Sequence, residues 1–212
     1  MLELENLDSY LMSTCAYVPD LDVSCENPEI IKSKALKRII KNNEIHYLKA
    51  RKLSDLCIKP AKNEQYRIIT EKQFNAYSLI LNLLETEEIS EMYLAIYRIN
   101  EATVTSICDF IVAGRIKKAF FVISSFFNAT KKPERWALQL KNFCDNNPDC
   151  EHVYTHNHAK VMAIKTATDN HYVFEGSGNM SDNARIEQYI YENNFEVYLF
   201  HKNWMKGLIN AV

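Results

Sequence analysis

Two short clusters in the C-terminal half carry residue types that can handle a phosphodiester. In Thr155-His156-Asn157-His158-Ala159-Lys160, His158 and Lys160 are two apart. In an extended chain both side chains therefore leave the same side, at the start of what reads as a strand. An imidazole can attack phosphorus or donate a proton near neutral pH, and an ammonium can neutralise a phosphate oxygen. Downstream, Gly176-Ser177-Gly178-Asn179 places two of the chain's four glycines around one serine. Glycine is used where the backbone takes a positive φ or approaches something closely. The segment reads as a polar loop against a ligand or, taken alone, as an ordinary turn.

The surrounding periodicity says what must hold these clusters. Val161 to Thr166 and Asn170 to Glu175 read as two strands joined by a short polar loop, so His-x-Lys enters the first and the glycine pair leaves the second. Arg185 to Tyr191 reads as a further strand, and Asn194 can cap a final amphipathic helix carrying Val197, Phe200, Trp204 and Leu208. Upstream, Thr70-Glu71-Lys72-Gln73 has the form of a capping box before Phe74, Tyr77, Ile80, Leu81 and Leu84, a helix that should end before Glu87-Glu88. Met92 to Ile99 is a strand candidate. Asn100 can cap a helix through Ala113, with Gly114 as its left-handed terminator. Ile116 to Ser124 is apolar nearly throughout, as in a strand buried on both faces. Pro133 to Phe143 reads as a helix and Asn146-Asn147-Pro148 as the turn beyond it. Strands alternating with helices predict an α/β architecture with a mixed β-sheet flanked by helices.

Together the two clusters resemble the signature of the phospholipase D-like phosphodiesterases: His-x-Lys, an Asp a few residues on, then Gly-Ser-x-Asn. The resemblance covers most of residues 66–212, with its specificity in 158–187. It departs from the family pattern at Lys165, where the Asp normally stands; Asp169 is the displaced acid nearby, and no role is assigned to it. The resemblance implies a phospholipase D-like fold over residues 63–212, with 1–62 as an N-terminal region. It makes His158 the nucleophile that forms a phosphohistidine, and Lys160 and Asn179 the donors to the nonbridging oxygens. Ser177 bonds the same group from the loop that Gly176 and Gly178 shape. A Glu on the next strand holds the histidine tautomer in this family, and Glu187 is its counterpart here. Catalysis in the family uses two His, one attacking and one protonating the leaving oxygen. A single-motif chain must take its second His from a partner, so a two-fold homodimer with both His158 residues facing across the interface is expected. No metal or other cofactor is needed for this chemistry.

Composition narrows the function without deciding it. The chain has 212 residues and a net charge of −2, enough for one sizeable core and no global argument for nucleic-acid binding. The distribution is more telling. Residues 1–30 hold seven acids and no Lys or Arg, whereas Lys32, Lys34, Lys37, Arg38, Lys41, Lys49, Arg51, Lys52, Lys59 and Lys62 face only Glu44 and Asp55. That basic stretch could track a nucleic-acid backbone, with His46 and Tyr47 interleaved for stacking, or be the solvated face of a helix. Leu2 to Tyr17 and Lys32 to Asn42 have helical spacing, and Glu44 to Leu48 fits a strand or a short helix. Neither a signal peptide nor a bilayer-spanning run is indicated. The six scattered Cys read as reduced thiols of a cytoplasmic protein.

A metal-independent nuclease on DNA or RNA, DNA before RNA, is the expectation. The alternatives are a noncatalytic nucleic-acid-binding or assembly protein on the same fold, and a phospholipase or phosphatidyltransferase. Cys144, Cys150, His152, His156 and His158 also collect zinc-type ligands, though without a Cys-x-x-Cys knuckle.

Overall fold

A computed structural model describes residues 45–50, 59–71, 75–128, 133–181 and 186–209. The helices expected over 2–17 and 32–42 lie outside these residues. The described strands are β1 (Ile45–Ala50), β2 (Gln65–Glu71), β3 (Ile89–Ile96), β4 (Ala119–Ser124), β5 (Cys150–Thr155), β6 (Val161–Thr166), β7 (His171–Gly176) and β8 (Ile186–Asn193). The helices are α1 (Tyr77–Leu84), α2 (Glu101–Val112), α3 (Arg135–Asp145) and α4 (Phe195–Ile209), with a 3-10 turn at Ser125–Phe127. The strands form one mixed sheet in the order β1-β2-β8-β7-β6-β3-β4-β5. β3, β4 and β5 run parallel, joined by helical crossovers, and β6, β7, β8 and β2 follow antiparallel. The mixed sheet flanked by helices is as expected.

Local signals account for many of the boundaries. Asn100 Oδ1 accepts from the Thr103 amide at 2.8 Å, which caps α2. Gly114 follows the helix with φ +71°, a conformation that costs glycine almost nothing. Asn194 Oδ1 accepts from Val197 N at 3.1 Å at the start of α4. Each strand face then chooses its cover. Ile68, Met92, Leu94, Phe121, Ile123, Phe174 and Tyr191 pack under α1, α2 and α3, whereas Tyr93, Ala95, Val122, Ala163 and Val173 pack under α4. β4 has helices on both faces and is buried at every position, which is why its sequence is a continuous apolar run rather than an alternation.

The Thr70 capping box is overturned. Thr70 lies in β2, paired with Glu187 of β8, and α1 begins only at Tyr77, where Asn75 Oδ1 accepts from the Tyr77 amide at 3.0 Å. Two neighbouring strands supply more backbone bonds to residues 65–71 than a helical first turn could. β3 runs three residues earlier than its sequence candidate, and β4 starts at Ala119, with Ile116 left as an isolated bridge to Ile89. Of the segment that fitted a strand or a short helix, Ile45–Leu48 is strand: β1 pairs in parallel with β2, so part of the segment 1–62 joins this sheet.

Candidate active site

The sheet puts the two clusters side by side at one end. β3, β4 and β5 finish there, β6 begins there, and β7 ends where β8 begins. Ligands of α/β sheets favour this location, outside the carboxyl ends of parallel strands. His158 is exposed in the link between β5 and β6, and Lys160 is half-buried just before β6. Lys160 Nζ lies 3.4 Å from His158 Nδ1 and donates to the His158 carbonyl at 3.1 Å. The Gly176 amide donates to the Lys160 carbonyl at 3.1 Å, which ties the glycine loop to the His-x-Lys segment directly.

Gly176, Ser177 and Asn179 each have a definite job. A Cβ on Gly176 would lie 2.5 Å from the Gln188 carbonyl oxygen and within the Tyr189 ring, so glycine is required here for close approach, not for a positive φ. Ser177 Oγ donates to the Glu187 carboxylate and accepts from the Gln188 amide at 3.1 Å. Asn179 Oδ1 accepts from the Arg98 amide at 3.2 Å, which makes Nδ2 the donating end of that amide. Backbone bonds of 3.2 Å from Met180 to Arg98 and from Asn100 to Met180 fasten the loop to the exit of β3. His158, Lys160, Gly176 and Ser177 line a cleft of about 990 Å³, with Arg67, Glu175, Gln188 and Ile190 along its length.

Glu187 is brought to this cluster, but its hydrogen bond goes to Ser177 rather than to the imidazole. Its charge acts on Lys160 instead. Burial pulls the Lys160 ammonium below the ordinary lysine range, and the Glu187 carboxylate pushes back. Removing that carboxylate lets the ammonium lose its proton at lower pH. Glu187→Gln, which keeps an acceptor for Ser177, should therefore shift the alkaline limb of kcat/KM to lower pH; an unmoved limb would refute the coupling.

Asp169 is not at the site. It sits with φ +61° in the β6–β7 turn at the opposite end of the hairpin, where it pairs with Lys165 at 3.1 Å. Lys165 and Asp169 therefore bond to each other at the closing turn, and the position that the family gives to Asp carries a surface ion pair. The zinc-type residues do not form one site. Cys144 and Cys150 are buried free thiols that hydrogen-bond to each other, whereas His152 faces Asp145 and His158 packs on Tyr97. Among the described residues no group of three His, Cys, Asp or Glu side chains is placed to hold a metal.

Two participants escaped the sequence reading. Buried Asn157 donates through Nδ2 to the carbonyls of Ile96 (3.2 Å) and Val122 (2.9 Å), and its Oδ1 accepts from the Ala159 amide at 2.9 Å. The residue before His158 thus clamps the link to the ends of β3 and β4. Its place beside the motif was a clue, but its partners are far off in sequence. Asn157→Ala leaves two carbonyls short of a donor at a cost of about 1–3 kcal/mol. It should also lower kcat by roughly 10²-fold through misplacement of His158, read by melting and steady-state kinetics; a wild-type kcat would refute the clamp. The second participant is Tyr97, whose ring centroid lies 4.6 Å from that of His158, with Lys160 Nζ 5.7 Å above the tyrosine ring.

No protein-family model matches this chain, and no curated protein does. Solved structures do. The polyphosphate kinase of Porphyromonas gingivalis superposes with a TM-score of 0.50 at 16% identity, over 68% of this chain and 26% of that one. The chain thus spans about a quarter of the kinase's length. A phospholipase D family member, Nuc, from Salmonella typhimurium gives 0.49 at 17% identity, over 69% of this chain and 95% of that one. Yeast tyrosyl-DNA phosphodiesterase gives 0.35 at 12% identity, over 59% and 31%. Likeness at these identities is likeness of fold. The chain thus has the mixed α/β fold of the kinase stretch on which it superposes, with its His-x-Lys and Gly-Ser-x-Asn segments together at one end of the sheet.

Proposed function

We propose that the protein is a metal-independent phosphodiesterase, a nuclease acting on DNA or RNA through a phosphohistidine at a site completed across a homodimer. The observation that carries this reading is the convergence of His158, Lys160 and Ser177 on one cleft, held by the Gly176–Lys160 backbone bond, with Asn179 in the same loop fastened to Arg98. An imidazole nitrogen of His158 forms a bond to phosphorus as the bond to the leaving oxygen breaks. Lys160 Nζ and Asn179 Nδ2 donate to the nonbridging oxygens, where charge accumulates. The leaving oxygen takes its proton from His158 of the partner subunit, and water then displaces the His158 nitrogen to release the phosphate end.

A noncatalytic nucleic-acid-binding role on the same fold is favoured by one feature, the hydrogen bond of Glu187 to Ser177 where the family mechanism wants it on the histidine. Assaying the purified protein in EDTA on plasmid DNA and on single-stranded oligonucleotides separates the two. Cleavage that survives EDTA, with an acid-labile phosphoenzyme on wild type and none on His158→Ala, supports the enzyme. Binding without cleavage supports the alternative. Cleavage lost to EDTA and restored by zinc would overturn the metal-free mechanism. Sedimentation of the same sample tests the dimer. Choline release from phosphatidylcholine vesicles tests the lipid-directed reading, and among the described residues no helix is long and apolar enough to cross a membrane.

A further inference from the structure

We infer that the rings of Tyr97 and Phe126 form a base-stacking subsite beside the phosphate donors, which makes the substrate a single strand, or an unpaired end, rather than duplex or lipid. This rests on the phosphodiesterase reading of His158 and Lys160 and narrows it. Phe126 is 64% exposed, in a molecule whose other large rings near the site are packed. Its outward pose is built in. Buried Ser124 caps the 3-10 turn by accepting from the Phe126 amide at 3.4 Å, and Asn128 N donates to Ser125 O at 3.1 Å.

The rings around it are ordered as a notch. Tyr97 and Phe126 lie 28° from parallel with centroids 6.5 Å apart, and Phe127 stands edge-on to both, at 5.2 and 5.1 Å, as the floor. Tyr97 in turn reaches His158 at 4.6 Å. Two short steps therefore lead from the attacking imidazole to an exposed ring, on the scale of one nucleotide. Cationic residues stand beside the rings: Lys160 Nζ is poised over the Tyr97 ring, and Arg98, exposed and next in the chain to Tyr97, donates its own amide to Asn179. Aromatic faces beside a cationic track suit single-stranded nucleic acid, because every base offers a π-face once it is out of a duplex. A lipid headgroup would gain from the cations but has no flat ring for Phe126.

The test is fluorescence anisotropy with the full-length protein and three labelled probes of equal length: an oligothymidylate, its abasic sugar–phosphate counterpart and a duplex. The expected result is tighter binding of the oligothymidylate than of the other two. Phe126→Ala should reduce the preference for the base-bearing over the abasic strand by about tenfold or more, and Phe126→Trp should restore it. Equal affinity for abasic and base-bearing strands in wild type, or a preference that survives Phe126→Ala, would overturn the subsite. A dimer that dissociates on Phe126→Ala with the preference intact would also overturn it, and would place the ring between copies of the chain. If base-dependent binding is found but no probe is cleaved, the subsite stands and the catalytic reading falls. Cleavage of abasic and base-bearing strands with equal efficiency and affinity is the reverse case.

Discussion

His158→Ala should abolish phosphodiester cleavage, by roughly 10³ to 10⁶-fold in kcat, while leaving the melting transition close to that of the wild type. The size of the loss follows from the chemistry. A nucleophile that splits one hard displacement into two easier ones cannot be replaced by water held at the same place. The harmless effect on folding follows from the position. His158 is exposed, and the bonds that hold its loop come from Asn157 and from the backbone of Lys160 and Gly176. Single-turnover kinetics on an oligonucleotide, alongside a thermal melt, give both readouts. A variant retaining a tenth of wild-type activity would exclude His158 as the nucleophile. If the site is shared across a dimer, mixing inactive His158→Ala with inactive Lys160→Ala subunits should recover little, since each shared site needs both histidines.

Gly176→Ala is the second large expectation, and here stability and activity fall together. The new methyl meets the backbone oxygen of Gln188 at 2.5 Å and the Tyr189 ring. Tyr189 cannot swing aside, because it is buried and stacked on Phe174 with centroids 4.5 Å apart. Forcing a methyl into such packing should cost about 3 kcal/mol, roughly 6–12 °C in Tm for a chain of this size. The strand end that moves also carries the Gly176–Lys160 bond, so cleavage should be lost as well. Gly114→Ala is the informative contrast. Its Cβ would meet nothing within 4 Å, but φ is +71°, so strain alone should cost about 1–2 kcal/mol and leave the site untouched. A Gly176→Ala protein that melts with the wild type would show that β7 and β8 can part without penalty.

Much of this molecule could be read from local chemistry. Asn100, Gly114 and Asn194 mark helix ends through bonds to residues three or four away, so a short window contains the whole cause. The β6–β7 hairpin is equally local, and in the folded chain it brings His158, Lys160, Gly176 and Ser177 together, since a hairpin brings the start of one strand to the end of the next. Other segments needed the whole sheet. Thr70-Glu71-Lys72-Gln73 has the residues of a helix start, yet Thr70 is held as strand by Glu187, far along the chain. Cys150–Thr155 offered metal-type side chains and a weak pattern, and becomes β5 because β4 is there to pair with it.

The site divides along the same line. Residue types and spacing offered His158 and Lys160 as groups that could act on a phosphodiester, because they lie two apart in the chain, and the resemblance to the phospholipase D-like signature added their roles and those of Ser177 and Asn179. Tertiary structure alone decided that Glu187 bonds Ser177. It alone set Asn157 as the clamp under His158, and Tyr97 and Phe126 as rings beside it. Those roles depend on pairing and burial between segments that lie from ten to about sixty residues apart, and the free energy of such contacts exists only once the sheet has formed.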